Sequence, residues 1–353
     1  MQFLDFETIN YMGSKRKMLS FLFSHIQPSE LKSFFDGFSG SGRVCGSVKH
    51  LYKNVTACDK QIFSNLLCRV LLTGTIPIDI DDKIKFLNAQ KGKDGFLSQF
   101  YGGSTRETNS SIQEDGKTRL FEIKNAQKIQ SIRDLIEDFP KEEKDYLLYC
   151  LILSAAKVQS STGHQNGYLK TFSPNSLKPL ELKIQNINHE YNNTGNKTCI
   201  GDVFDFISAP HDIFYFDPPY GTCNYHVPVA TRYTAFYHFW NTLILNDSPE
   251  VFGKANRRID SKGVTDKFEV NKKETFLPLL KRLFEESNGK DVFVSLSNQS
   301  VVNKEDVLDY MNLPIRVYEI AHAENVQGKK VRKDGEFSVK KKPLVEYLYH
   351  LEK

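Results

Sequence analysis

SFFDGFSGSGRVCGSVKHLYKNVTACD (33–59) carries the pattern of an open α/β sheet. SFFD opens it as a short apolar run, the signal of a buried strand. The glycines at 37, 40 and 42 then allow a tight turn and a close backbone approach. RVCGSVKHLYK (43–53) reads as a helix and NVTACD (54–59) as a second strand. Strand, turn, helix and strand in such quick succession predict a parallel sheet with crossover helices.

Working outward, KRKMLSFLFSHI (15–26) places Leu19, Leu22, Phe23 and Ile26 on one helical face, and QIFSNLLCRVLL (61–72) reads as a third helix. The alternation breaks after residue 72. Residues 73–195 are mostly helical or polar, with one apolar helix expected at KDYLLYCLILSAAKVQ (144–159). They are read as a domain inserted into the sheet. Strand and helix signals resume with NKTCIGDVFDFI (196–207), DIFYFDPPY (212–220) and TAFYHFWNTLILN (234–246). A helix at 273–287 (despite Pro278), a strand at 291–297 and a helix at 304–311 follow, and 315–324 is expected to pair with 343–353 as a hairpin. The expected organisation is a discontinuous catalytic unit, 1–72 with 196–353, carrying an inserted unit at 73–195.

The chain has 353 residues, 40% hydrophobic and 25% charged, with a formal charge of +4, which is ordinary for a globular protein that can bury a sizeable core. No apolar stretch approaches the roughly 20 residues that cross a bilayer. The N-terminus has no basic-then-apolar leader. The six cysteines are scattered without a CxxC pair, so neither a disulfide framework nor a zinc site is expected, and free thiols suit a reducing cytoplasm. The mild basicity permits nucleic-acid binding without demanding it.

The sharpest chemical signal is Asp217-Pro218-Pro219-Tyr220, directly after the apolar strand IFYF. Ligand sites in open α/β sheets sit at the carboxyl ends of strands. Two prolines fix the backbone and leave no N–H, so their carbonyls can face a ligand. The aspartate is acceptor-only when ionised, and the tyrosine offers a flat face. These parts fit activation of an exocyclic amino group such as that of adenine. The Asp217 carboxylate and the Pro218 carbonyl would accept both amino hydrogens, localise the nitrogen lone pair and stabilise the positive charge that grows there. A rigid strand-ending turn is the bland alternative. DGFSGSG (36–42) adds a GxxGxG loop, whose following helix N-terminus can receive a carboxylate, and Asp59 adds a strand-end acid suited to ribose hydroxyls. Taken singly, these two fit a plain turn and a helix cap equally well.

Taken in order, these motifs resemble the Dam-like, alpha-group DNA N6-adenine methyltransferases. NYMGSKRK resembles the family's opening motif, in which an aromatic residue and a lysine embrace the cofactor; Tyr11 and Lys15 are the matching positions. FDGFSGSG resembles its glycine-rich loop, with Asp36, Phe38, Gly40 and Gly42, and Asp59 falls at the ribose-binding acid. Asp202 and Val203 resemble the segment that reads the cofactor adenine, DPPY matches fully, and RYTAFYHF (232–239) resembles the aromatic stretch beside the flipped base. SLSN (295–298) resembles the strand that follows. The resemblance implies a class I, Rossmann-like α/β fold with an inserted, mainly helical target-recognition domain. It also implies S-adenosylmethionine as cofactor, direct transfer without a metal, duplex DNA as substrate and pairing with a cognate restriction endonuclease.

Reaching an amino group inside a duplex requires base flipping. Tyr220 with Phe236 or Tyr237 would hold the flipped base, and Arg232 and Tyr233 are expected DNA contacts in the same stretch, although FYHFW equally fits a core helix face. Phosphate contacts are expected from Arg257 and Arg258 in KANRR, from Lys170 and from the basic runs at 328–333 and 340–342, each of which also fits a solvated face. Gln165, Asn166 and Lys170 in STGHQNGYLK are residue types suited to base edges, on a stretch that also fits a polar loop. Other readings stay open: N4-cytosine methylation, adenine methylation in RNA, a small-molecule methyltransferase, or a DNA-binding module without catalysis.

Overall fold

A computed structural model describes residues 1–105, 109–220, 232–263, 266–322 and 344–353. Seven strands form one sheet: β1 (Ser33–Asp36), β2 (Asn54–Asp59), β3 (Lys197–Ile200), β4 (Ile213–Phe216), β5 (Asp291–Ser297), β6 (Arg316–His322) and β7 (Leu344–Glu352). Their spatial order is β6-β7-β5-β4-β1-β2-β3. The five strands from β5 to β3 run parallel, and β7 inserts antiparallel between β5 and β6, forming the expected hairpin with β6. This mainly parallel α/β sheet agrees with a class I methyltransferase fold.

The short apolar runs become strands because both sheet faces are covered. Alternate side chains enter opposite cores. Phe34, Ile213, Tyr215 and Phe293 face α1 (Leu19–His25) and α2 (Arg43–Val48). Phe35, Phe214, Phe216, Val292 and Val294 face the opposite way, onto α10 (Lys273–Glu286) and α11 (Lys304–Met311). Fully burying one such phenylalanine contributes about 1.5–3 kcal/mol, so these two layers fix which face each strand presents.

A third core joins residues on both sides of the expected insertion. It packs Phe6 and Ile9 against α3 (Ile62–Thr73), α4 (Ile80–Ala89), α5 (Phe96–Tyr101), α6 (Ile123–Ile136), α7 (Lys141–Val158) and α9 (His238–Leu245). The apolar helix expected at 144–159 is α7, buried along most of its length. Arg133 of α6 is buried and donates to the carbonyls of Leu243 and Ile244, the open C-terminal end of α9. The 73–195 region is thereby fastened to the helix that follows DPPY. Among the described residues no helix is long and apolar enough to cross a membrane.

One expected helix, 234–246, is divided. Tyr237 leaves helical geometry, at φ −128 and ψ 22, between α8 (Tyr233–Phe236) and α9. Its hydroxyl accepts a hydrogen bond from the Met12 N–H at 2.8 Å, and its ring stacks on Tyr11 at 4.8 Å. A tertiary contact with the N-terminal segment outweighs continuous helix at this point.

Candidate active site

The sheet places a crevice between β1 and β4. From β1 the chain turns outward to β2 on one side, while β4 lies on the other, so the connections leaving these two strands diverge. Ligands bind at such switch points, beyond the carboxyl ends of the strands. The two strand ends are close, with the Gly37 N–H donating to the Tyr215 carbonyl at 2.9 Å. The cleft above them is lined by Tyr11, Gly37, Phe38, Asp59, Lys60, Val203, Asp217, Pro218, Pro219, Tyr220, Tyr233, Asp266 and Glu269, with Met12, Gly13, Gln61 and Gly201.

On the β2 side, Asp59 closes the glycine loop. Its two carboxylate oxygens accept from the Gly40 and Gln61 N–H groups, each at 2.8 Å. Burial nonetheless pushes its carboxyl above the ordinary value. Gly40 has φ +51, and a Cβ there would sit 2.6 Å from the Tyr11 ring. The glycine lets Tyr11 close over the loop, where Tyr11 stacks on both Tyr233 and Tyr237. Gly42 has φ +74 and starts α2.

Two expected cofactor contacts are placed differently. Asp36 is 1% exposed and its Oδ2 accepts from the Cys45 N–H at 3.1 Å, so it faces the first turn of α2 and not the cleft. It takes one of the amides at the N-terminal turn of α2, where a bound carboxylate was expected, and burial pushes its own carboxyl up to about 7. Asp202 accepts from the Phe204 N–H and pairs with Lys267 at 3.0 Å, beside the cleft-lining Gly201 and Val203.

On the β4 side stands the DPPY segment. Lys15 Nζ lies 2.9 Å from Asp217 Oδ1 and 2.8 Å from Glu346 Oε1. Burial works against the Lys15 charge, but the two carboxylates outweigh it and hold the ammonium well above its ordinary range. Burial raises Asp217 to about 6; Lys15 opposes this and Glu346 adds to it. A protonated Asp217 loses its charge and part of its acceptor capacity, so kcat/KM should fall as pH drops through about 6. Initial rates at subsaturating substrate across that range check this; a profile flat down to about pH 5 would contradict it.

Sequence reasoning missed Asp266, Glu269 and Glu346. The first two lie in a stretch without a motif, and nothing in the sequence marks them as cleft residues. Burial raises Asp266 to about 6 and Glu269 to about 7. Glu269 Oε1 accepts from the Tyr233 N–H at 2.7 Å, and its Oε2 is buried without a partner among the described residues. Glu346 did leave a signal, as an acid in the otherwise apolar run PLVEYLYHL.

Several expected DNA contacts need correction. Gln165 is 1% exposed; its Oε1 accepts from the Phe239 N–H at 2.9 Å, so it fastens α9 and cannot read a base edge from there. Tyr237 is 1% exposed and committed to Tyr11 and Met12. Arg258 is 5% exposed and paired with Asp247 and Asp260, so its charge is spent inside the protein. The remaining residues are better placed. Tyr233 lines the cleft, and Phe236 is half-buried and stacked on His164. Asn166, Lys170 and Arg232 are exposed, and half-buried Arg257 donates to Asn166. The basic runs at 328–333 and 340–342 lie outside the described residues.

The sequence profile of the D12 class N6 adenine-specific DNA methyltransferases matches residues 11–308. The chain belongs to that family. It is similar to modification methylase LlaI of Lactococcus lactis subsp. lactis, at 29% identity over 85% of this chain and 48% of that protein. It is 26% identical to Type II methyltransferase M.NlaIII of Neisseria lactamica, over 84% of this chain and 85% of that one. Against Type II methyltransferase M.FokI of Planomicrobium okeanokoites the identity is 26%, over 85% of this chain and 46% of that protein. The chain thus spans about half the length of two of these relatives and most of the third.

For a D12 family member the cleft can be tested against S-adenosylmethionine, which supplies an electrophilic methyl group on a sulfonium when bound. That molecule carries a net positive charge, and four carboxylates line the cleft: Asp59, Asp217, Asp266 and Glu269. Carboxyls raised chiefly by burial favour a cationic guest, because a nearby positive charge stabilises their ionised form. Tyr11 and Phe38 add aromatic faces to the same lining. The residues present fit the group.

Proposed function

We propose that this protein is a site-specific DNA methyltransferase that binds S-adenosylmethionine in the cleft and methylates N6 of an adenine flipped out of duplex DNA. The observation that carries this reading is Asp217, held in the cleft at the carboxyl end of β4 by two prolines and Lys15, across from Asp59. Asp217 and the Pro218 carbonyl accept the amino hydrogens, and Tyr220 and Tyr233 hold the base. Tyr11, Lys15, Phe38, Gly40, Gly42, Asp59 and Val203 shape the cofactor side. Released protons pass to water, since an aspartate is a poor terminal base.

Residues 73–195 form the target-recognition region in this reading, with Asn166, Lys170, Arg232 and Arg257 meeting DNA. A cytoplasmic protein working beside a cognate endonuclease suits the family and the names of the relatives. Sequencing that detects modified bases, applied to DNA from cells expressing the protein, should show N6-methyladenine within one recurring short sequence. Absence of any modified adenine would refute the reading.

A further inference from the structure

Glu346 is 3% exposed in β7, where an unpaired charge would be costly. Its Oε1 accepts from Ser295 Oγ of β5 at 2.7 Å and faces Lys15 Nζ at 2.8 Å. The same ammonium lies 2.9 Å from Asp217 Oδ1. One buried cation therefore stands between two carboxylates drawn from distant parts of the chain. Asp217 with Lys15 alone would form a neutral pair, whose field fades quickly with distance; with Glu346 the cluster carries a net negative charge.

We propose that Glu346 is a positioning residue for Asp217: it takes up part of the attraction of Lys15, so that the Asp217 carboxylate keeps enough charge to accept the hydrogens of the target amine. This rests on the reading of the chain as an amino-group methyltransferase. Positive charge grows on the amine during transfer, and an acceptor already cancelled by a lysine stabilises it less. Glu346 acts through Lys15 and need not touch the substrate.

Other titratable groups also face Asp217. Tyr11, Tyr215, Tyr220 and Tyr233 face it, and all are pushed above their ordinary values, so they stay neutral at working pH. Asp36, at the end of β1, bonds the Cys45 amide and faces Asp217 as a like charge, but its own raised carboxyl leaves it only partly ionised near neutral pH. Among the described residues Lys15 is the charge in direct ionic contact with Asp217, and Glu346 reaches Asp217 through that ammonium.

Two variants separate charge from shape. Glu346→Gln keeps the shape and removes the anion, while Glu346→Asp keeps the anion and alters the packing. The carboxyl carbon of Asp217 can be titrated by 13C NMR in the cofactor-free protein, with kcat measured separately on duplex DNA and thermal unfolding confirming the fold. Removing a like charge and leaving Lys15 wholly to Asp217 should lower its midpoint by about one pH unit in Glu346→Gln. Plateau kcat should fall about tenfold. Glu346→Asp should stay within about threefold of the parent and keep its midpoint, because the charge is retained. The proposal is overturned if the midpoint in Glu346→Gln does not fall, if it falls with kcat unchanged, or if Glu346→Asp is as impaired as Glu346→Gln. Should Glu346→Gln fail to fold, Glu346→Asp decides alone: a kept midpoint supports the proposal and a lost one overturns it. A parent enzyme that transfers nothing to DNA would refute the functional reading, while the titration would still report on the coupling itself.

Discussion

Asp217→Ala should lower kcat by at least about a thousandfold while leaving duplex binding nearly unchanged. The amino lone pair of adenine is delocalised into the ring, and the nitrogen becomes nucleophilic only when acceptors hold its hydrogens. Removing the carboxylate removes the stronger acceptor and the anion that meets the growing positive charge. Folding should tolerate the change. Asp217 is 19% exposed at its side chain, and its loss leaves Lys15 and Glu346 as a matched pair. Methyl incorporation with labelled cofactor and fluorescence anisotropy on duplex DNA measure the two halves. Loss of less than about tenfold in kcat would remove Asp217 from the chemistry.

The second large effect is on stability. Gly37→Ala should destabilise the protein by about 3 kcal/mol, at the upper end of what an overpacked core costs. A Cβ at Gly37 would lie 2.3 Å from Phe216 Cδ1, 2.5 Å from Cε1 and 3.2 Å from Val203 Cγ2. The Phe216 ring cannot swing away. It is fully buried, in edge contact with Phe35 and Phe38. The strain falls where β1 and β4 meet beneath the cleft, so cofactor affinity should weaken along with folding. Denaturant unfolding and calorimetric titration of the folded variant check both, and an unchanged unfolding midpoint would show that the strand ends have slack.

The legible part of the fold was the part ruled by local chemistry. SFFD, NVTACD and IFYF are strands because continuous apolar runs suit a sheet covered on both faces, and DPPY falls at a strand end because two prolines cannot extend a parallel ladder. The terminal hairpin was visible for the same reason. What stayed hidden was set by contacts distant in sequence. Tyr237 breaks a promising helix to reach Met12 and Tyr11, and Gln165 looks like a surface reader until α9 is seen to rest on it. Arg258 looks like a phosphate contact until Asp247 and Asp260 are placed beside it. Polar residue types announce an ability to bond, and only the tertiary structure says with what. Glu346 shows the converse, since a carboxylate in an apolar strand is a sequence anomaly whose partner, Lys15, lies at the other end of the chain.

Mass spectrometry of nucleosides released from duplex DNA after incubation with the protein and S-adenosylmethionine reaches the central claim most directly. Transfer to an amine held by Asp217 and Pro218 predicts N6-methyladenosine as its deoxynucleoside in the parent reaction and none in Asp217→Ala. Recovery of N4-methylcytosine alone, or of methylated adenine in equal amounts from both proteins, would contradict it.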